Sequence, residues 1–156
     1  MIVSIAVDDS GWEAVPALEE LTRRAVDATI AGAGAAGKNL ETAFLFTGDE
    51  TMASLNAKWR GQAHATNVLS FPAKNVKAPG GETSPLGDVV LASGVVTREA
   101  AEQGKTLPHH ATHLIVHGLL HLLGYDHETD KDAAAMERLE TEILKGLGIS
   151  DPYDRQ

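Results

Sequence analysis

The chain has 156 residues, of which 43% are hydrophobic and 22% charged, the balance of a soluble globular domain long enough for one real core. It contains no cysteine, which excludes disulfides and thiolate metal sites, and no apolar run approaches the roughly 20 residues of a membrane span. A net charge of −9 argues against a broad basic face for nucleic acid, so a polyanionic partner must be met by a metal ion and a few placed cations.

In chain order, Ile2–Val7 alternates and is rich in β-branched residues, which predicts a strand. Trp12–Ala35 has helical spacing and runs out into AGAGAAG. Glu41–Phe46 reads as a second strand, followed by a helix near Asp49–Trp59 with Thr47 or Asp49 as its cap. Asn67–Phe71 and Leu86–Ala92 are short apolar strands expected to pair across an exposed loop, Lys74–Pro85, rich in Gly, Pro and polar residues. Asp88, ionisable among apolar neighbours, reads as structural. Thr97–Gln103 suits a helix, His109–Leu123 is a helix apolar on nearly every side, and Asp130–Leu147 is a final amphipathic helix. Four strands and about five helices, not strictly alternating, predict an α+β fold: helices packed on a four-stranded mixed sheet, in a single domain over 1–156. The tail 150–156 is expected to add little. MIVSIAVDDS lacks the basic start and long apolar stretch of a secretory signal, so a cytoplasmic location is the expectation.

Within the apolar helix the run HGLLHLLGYDH places His117 and His121 one turn apart, then Gly124, then His127. Positions i and i+4 share a helix face. A glycine beyond the last turn supplies the left-handed backbone that returns the chain, delivering the third imidazole. Two unpaired polar rings on a buried helix would each cost about 1–3 kcal/mol, and one shared metal ion satisfies both. Three nitrogen ligands leave a fourth tetrahedral position open, the layout of a catalytic zinc site. His113 cannot replace His127. Eight helical residues span about 12 Å and turn by about 80°, so His113 and His121 cannot both reach one ion at about 2.1 Å. His113 is therefore expected outside the ligand set, with His109 and His110 at the helix start and His64 in a loop.

The order H-x-x-x-H-x-x-G-x-x-H matches the metzincin protease pattern except at the position after the first histidine, where the general-base glutamate is Gly118 here. That substitution argues against peptide hydrolysis by that route. A zinc-type ion can instead polarise a phosphoryl oxygen or activate water, and a phosphodiester would call for an arginine fork beside it. Arg60 precedes the polar turn at Gly61, Thr66 and Asn67. Residue physics alone favours a solvated helix-end cation. Tyr125 and Asp126 lie between Gly124 and His127, where they can orient the ligands or simply make the turn.

The segments LNAKWRGQAHATNVLSFP (55–72), LGDVVLA (86–92) and HLIVHGLLHLLGYDH (113–127), with Met136-Glu137, Leu147-Gly148 and Asp151-Pro152-Tyr153, closely resemble the YbeY family of bacterial endoribonucleases. The likeness covers roughly residues 40–153. It implies a metal-dependent endoribonuclease that prefers single-stranded RNA and acts in maturing the 3′ end of small-subunit rRNA and in ribosome quality control. It further implies that His117, His121 and His127 hold one zinc ion per chain, that Arg60 is the basic residue beside it, and that ribosome or small-subunit assembly proteins are partners. In this chain Asn67 stands where that family's usual acidic residue lies. Residues 1–40 match only as a generic strand and helix. The general base is not identified by sequence. Two rivals stay open: a non-catalytic ribosome-assembly factor with structural zinc, and a metzincin-like metallohydrolase acting on another substrate.

Overall fold

A computed structural model describes residues 1–73 and 83–153. Its elements are β1 (Ile2–Val7), a 3-10 turn at Ser10–Ala14, α1 (Leu18–Gly32), β2 (Leu40–Thr47), α2 (Asp49–Arg60), β3 (Val68–Pro72), β4 (Ser84–Ala92), α3 (Ser93–Glu102), α4 (Leu107–Leu122) and α5 (Asp130–Gly146). The four strands form one mixed sheet in the order β1-β2-β4-β3, parallel from β1 through β4 and antiparallel at the β3 edge. This is the expected α+β architecture, five helices on a four-stranded sheet. Most of Lys74–Pro85 lies outside the described residues, but Ser84 and Pro85 belong to β4.

Strand periodicity divides the core. Side chains alternate faces along a strand, so Phe44, Phe46, Val89 and Leu91 join the main core with α1, α4 and α5. Val90, Ala92 and Leu69 point the other way, onto Met52 of α2. Asp88 is exposed on β4, where it pairs with Ala43 and Phe71 in the sheet register. Helix α4 lies inside the main layer, with Ala111, Ile115, Val116, Leu119 and Leu120 all fully buried.

Several boundaries differ from expectation for identifiable reasons. The stretch Trp12–Ala35 breaks in two because Pro16 holds Val15 extended (φ −103°, ψ 105°) and Ala17 is left-handed (φ 51°). Neither Thr47 nor Asp49 caps α2; the cap position is Gly48, without a side-chain bond. Asp49 instead accepts from the Val95 N–H and from Arg98, and so anchors the first turns of α3. With its N-terminal partner supplied from another helix, α3 begins four residues before Thr97. The tail also does more than expected: Pro152 accepts from Lys105, and the Tyr153 hydroxyl reaches α4 and α5.

Gly118 sets how closely α4 approaches the sheet. A Cβ there would lie 2.7 Å from Val89 Cγ1, 3.2 Å from Val68 Cγ2 and 3.3 Å from Ser70 Oγ. The Ser70 hydroxyl donates to the Gly118 carbonyl at 2.8 Å, tying the helix to the edge strand. Overpacking a fully buried contact of this kind costs about 1–3 kcal/mol, against a helix-propensity gain near 1 kcal/mol for replacing glycine by alanine. Gly118→Ala is therefore expected to lower the melting temperature, by about 2–4 °C for each kcal/mol of net loss. A variant melting at or above the parent would show that α4 can move away from β3 and β4 without cost.

Candidate metal centre

Thr106 begins the helix that carries the site: its hydroxyl accepts from the His109 N–H at 3.2 Å, and Pro108 occupies the first turn. At the other end Gly124 is left-handed (φ 102°). The Tyr125 N–H bonds the Leu120 carbonyl at 3.0 Å and the Gly124 N–H bonds that of His121 at 3.1 Å, the paired bonds of a Schellman motif. The same turn serves the site directly, because the Tyr125 carbonyl accepts from His121 Nδ1 at 3.0 Å. Asp126 accepts from the Glu128 N–H at 3.3 Å. Of the two intervening residues, Tyr125 orients a ring through its backbone and Asp126 shapes the turn.

His117, His121 and His127 converge, each offering a nitrogen within 4.8 Å of the other two. His117 and His121 are half-buried and His127 is exposed. His117 Nδ1–H donates to Glu140 Oε1, just as His121 Nδ1–H is committed to Tyr125. Both Nε2 atoms are consequently bare acceptors, and they face each other at 3.1 Å. Two lone pairs in that relation call for a cation between them. Nitrogens bound to one tetrahedral ion at about 2.1 Å lie about 3.4 Å apart, so the donor set fits a divalent metal of zinc type. Burial, with His117 and His127 as neighbours, lowers the pKa of His121 and keeps it in the neutral, ligating form.

Glu140 is the functional residue that sequence reasoning missed. Its side chain is fully buried on α5. Burial by itself would raise its pKa, but nearby His113 and the hydrogen bonds from His117 and Tyr153 outweigh that and hold it at about 2. The Tyr153 hydroxyl donates to Glu140 Oε2 and stands 3.3 Å from His113 Nε2. Its pKa is raised, by burial first and by Glu140 second, so the phenol keeps its proton. His113 thus lies one layer outside the triad, as geometry required. The available signal for Glu140 was its place on the buried stripe Met136, Glu140, Ile143, Leu144 of an otherwise amphipathic helix.

The other candidates are dispersed. His109 and His110 open α4, His64 is exposed in the loop after α2, and its carbonyl accepts from buried Asn56 at 2.9 Å. Arg60 is the exposed last residue of α2. No hydrogen bond or ion pair among the described residues engages its guanidinium, and no described contact joins it to the triad. The loop it begins ends at Asn67, which lines the same cleft as His117. Gly118 faces Val89, Val68 and Ser70, so a glutamate at that position would have to displace the sheet.

Carboxylates that orient ligating imidazoles are worth roughly 10- to 100-fold in metal affinity. Glu140→Gln is expected to weaken zinc binding by that order in a competitive chelator titration. Glu140→Leu, which removes the acceptor altogether, is expected to weaken it at least as much. Unchanged affinity in both variants would show that His117 is oriented without the carboxylate.

Residues 6–148 match the family model described as Endoribonuclease YbeY. A protein named Endoribonuclease YbeY from Allorhizobium ampelinum is 48% identical over 160 residues, covering 99% of this chain and 95% of the relative. Another of that name, from Dinoroseobacter shibae, is 47% identical over 97% of this chain and 90% of its own length. Among solved structures, the solution structure of TM1509 from Thermotoga maritima matches with a TM-score of 0.58 over 99% of this chain and all of that one, at 22% identity; that likeness speaks for the fold. The full-length match at nearly half identity, together with the family model, places the chain in the YbeY family.

Proposed function

We propose that this protein is a zinc-dependent endoribonuclease that cleaves single-stranded RNA and acts in maturation of the small-subunit rRNA 3′ end, with the ribosome or its assembly proteins as partners. The observation that carries the reading is the three-histidine donor set with an open side, in a chain whose relatives are named endoribonucleases. The rRNA step and the partners rest on the family resemblance. No helix among the described residues is long and apolar enough to cross a membrane.

The geometry supports the roles of the histidines and the groups that orient them, and the family resemblance supports that of Arg60. His117, His121 and His127 would hold the ion, which when bound supplies Lewis acidity at a phosphoryl oxygen and to water. Glu140 and the Tyr125 carbonyl keep the two helical rings in the ligating tautomer. Arg60, exposed and without an ion pair among the described residues, is assigned to the phosphate, where its planar fork matches two oxygens. Beside it Trp59 is 63% exposed, with Lys58 Nζ 5.4 Å from its ring centre. An exposed aromatic ring with a cation beside it suits a single strand, whose bases are free to stack.

Two substitutions and a chelator test this reading on purified protein with single-stranded and duplex RNA of equal length. His117→Ala is expected to abolish cleavage while the circular dichroism spectrum stays that of the parent. Chelation is expected to do the same, reversibly on adding zinc. For Arg60→Ala the expected loss is roughly 10²- to 10³-fold in kcat/KM, and Arg60→Lys should restore only part of it, having lost the bidentate fork. Cleavage by His117→Ala at the parental rate would refute the metal-dependent reading. Unfolding on chelation would point to a structural ion.

A further inference from the structure

A cleft of about 570 Å³ adjoins His117, and Asn67, Glu99, Lys105, His110, His113 and Tyr153 line it. Its chemistry is opposite to that of the metal centre. Glu99 of α3 anchors the wall: its Oε1 accepts from His110 Nε2 at 2.9 Å and from the Asn67 side-chain amide at 3.0 Å. The second oxygen, Oε2, makes only a 3.4 Å contact with that same amide. A carboxylate has about four acceptor sites, so Glu99 keeps unused capacity on Oε2. The Glu99 side chain is 29% exposed, whereas that of His110 is 4% exposed. The histidine is therefore a buried brace, and the carboxylate is the group left open to the cleft.

Burial lowers the pKa of His110, with Glu99 opposing, which favours the neutral ring as the brace. The Glu99 carboxylate repels a phosphate from this wall and attracts N–H donors. His113 and Tyr153, whose rings meet edge to face at 5.5 Å between centres, add an aromatic surface. Lys105 carries donors in the same cleft beyond the one it gives to the Pro152 carbonyl. An open acceptor oxygen, an aromatic wall and a neighbouring cation match a nucleobase.

We propose that the cleft receives the base next to the scissile phosphate and that Glu99 selects it, favouring guanine over uracil. Guanine presents N1–H and the N2 amino group side by side, so both can donate to the one open oxygen, Oε2, with O6 available to Lys105. Uracil presents a single N–H flanked by two carbonyl oxygens that Glu99 would repel. Adenine and cytosine, each with one amino group, fall between. The inference rests on the ribonuclease reading above, and it makes Glu99 a specificity-determining residue.

The test uses short single-stranded RNAs that differ in the one base beside the cleavage position, with the wild-type protein and Glu99→Gln, both zinc-loaded. The expected wild-type preference in kcat/KM is about tenfold or more for guanine over uracil, falling to about twofold or less in Glu99→Gln. Equal rates on all four bases with wild type, or a Glu99→Gln variant that loses activity equally on all four, would overturn the proposal and mark Glu99 as a brace. Calorimetric binding of guanosine and uridine 5′-monophosphate to the wild-type protein needs no variant and no cleavage. A preference for the guanosine nucleotide supports the cleft even if RNA is not cut, in which case the ribonuclease reading alone fails. Equal binding of the two nucleotides overturns the inference whether or not RNA is cut.

Discussion

The buried carboxylate of Glu140 is where three separate parts of the chain are made to agree. It accepts from His117 on α4 and from Tyr153 near the C-terminal end, and it stands 3.7 Å from His113, one turn back on α4. A lone ionised carboxylate in that position would be expensive, because removing one partner of a buried charge pair typically costs about 3–5 kcal/mol. The cost is avoided only when α4, α5 and Tyr153 all take their places. The same bonds fix the face that His117 turns outward. Fold and ligand geometry are therefore one requirement, and the site cannot be assembled without closing the core around α5.

From that point outward the structure is a series of close approaches that hold α4 still. Gly118 lets the helix lie against Val89 and Val68, and Ser70 pins its carbonyl. The turn at Gly124 brings Tyr125 back to the helix end, so a backbone carbonyl orients His121. One imidazole is set by a side chain from a distant helix and its neighbour by the local turn. The third, His127, is exposed on the segment beyond, which leaves the open side of the site toward solvent and substrate.

The legible parts of this protein were those encoded locally. The triad could be read because the helix period and a following glycine are both sequence-local, and the same holds for strands with two-residue alternation. What escaped was encoded by contact across the chain. The start of α3 depends on Asp49 from α2, so no cap is visible near Ser93. The break before α1 was legible in Pro16 but was outweighed by the helical spacing around it. Glu140 and Tyr153 acquire their roles only when α5 and the C-terminal residues fold onto α4. Glu99 with His110 and Asn67 is likewise three elements meeting. Arg60 remains the residue whose role the sequence resemblance states more specifically than the geometry around it.

The central claim is that three histidines, and no further protein ligand, define the metal centre, with Glu140 acting from behind His117. X-ray absorption at the zinc edge of the loaded protein tests it most directly. The account predicts one ion per chain with three imidazole nitrogens at about 2.0–2.1 Å and a single additional oxygen scatterer that exchanges with solvent ligands. A closed shell of four protein ligands, with His113 or the Glu140 carboxylate in the fourth position, would contradict it.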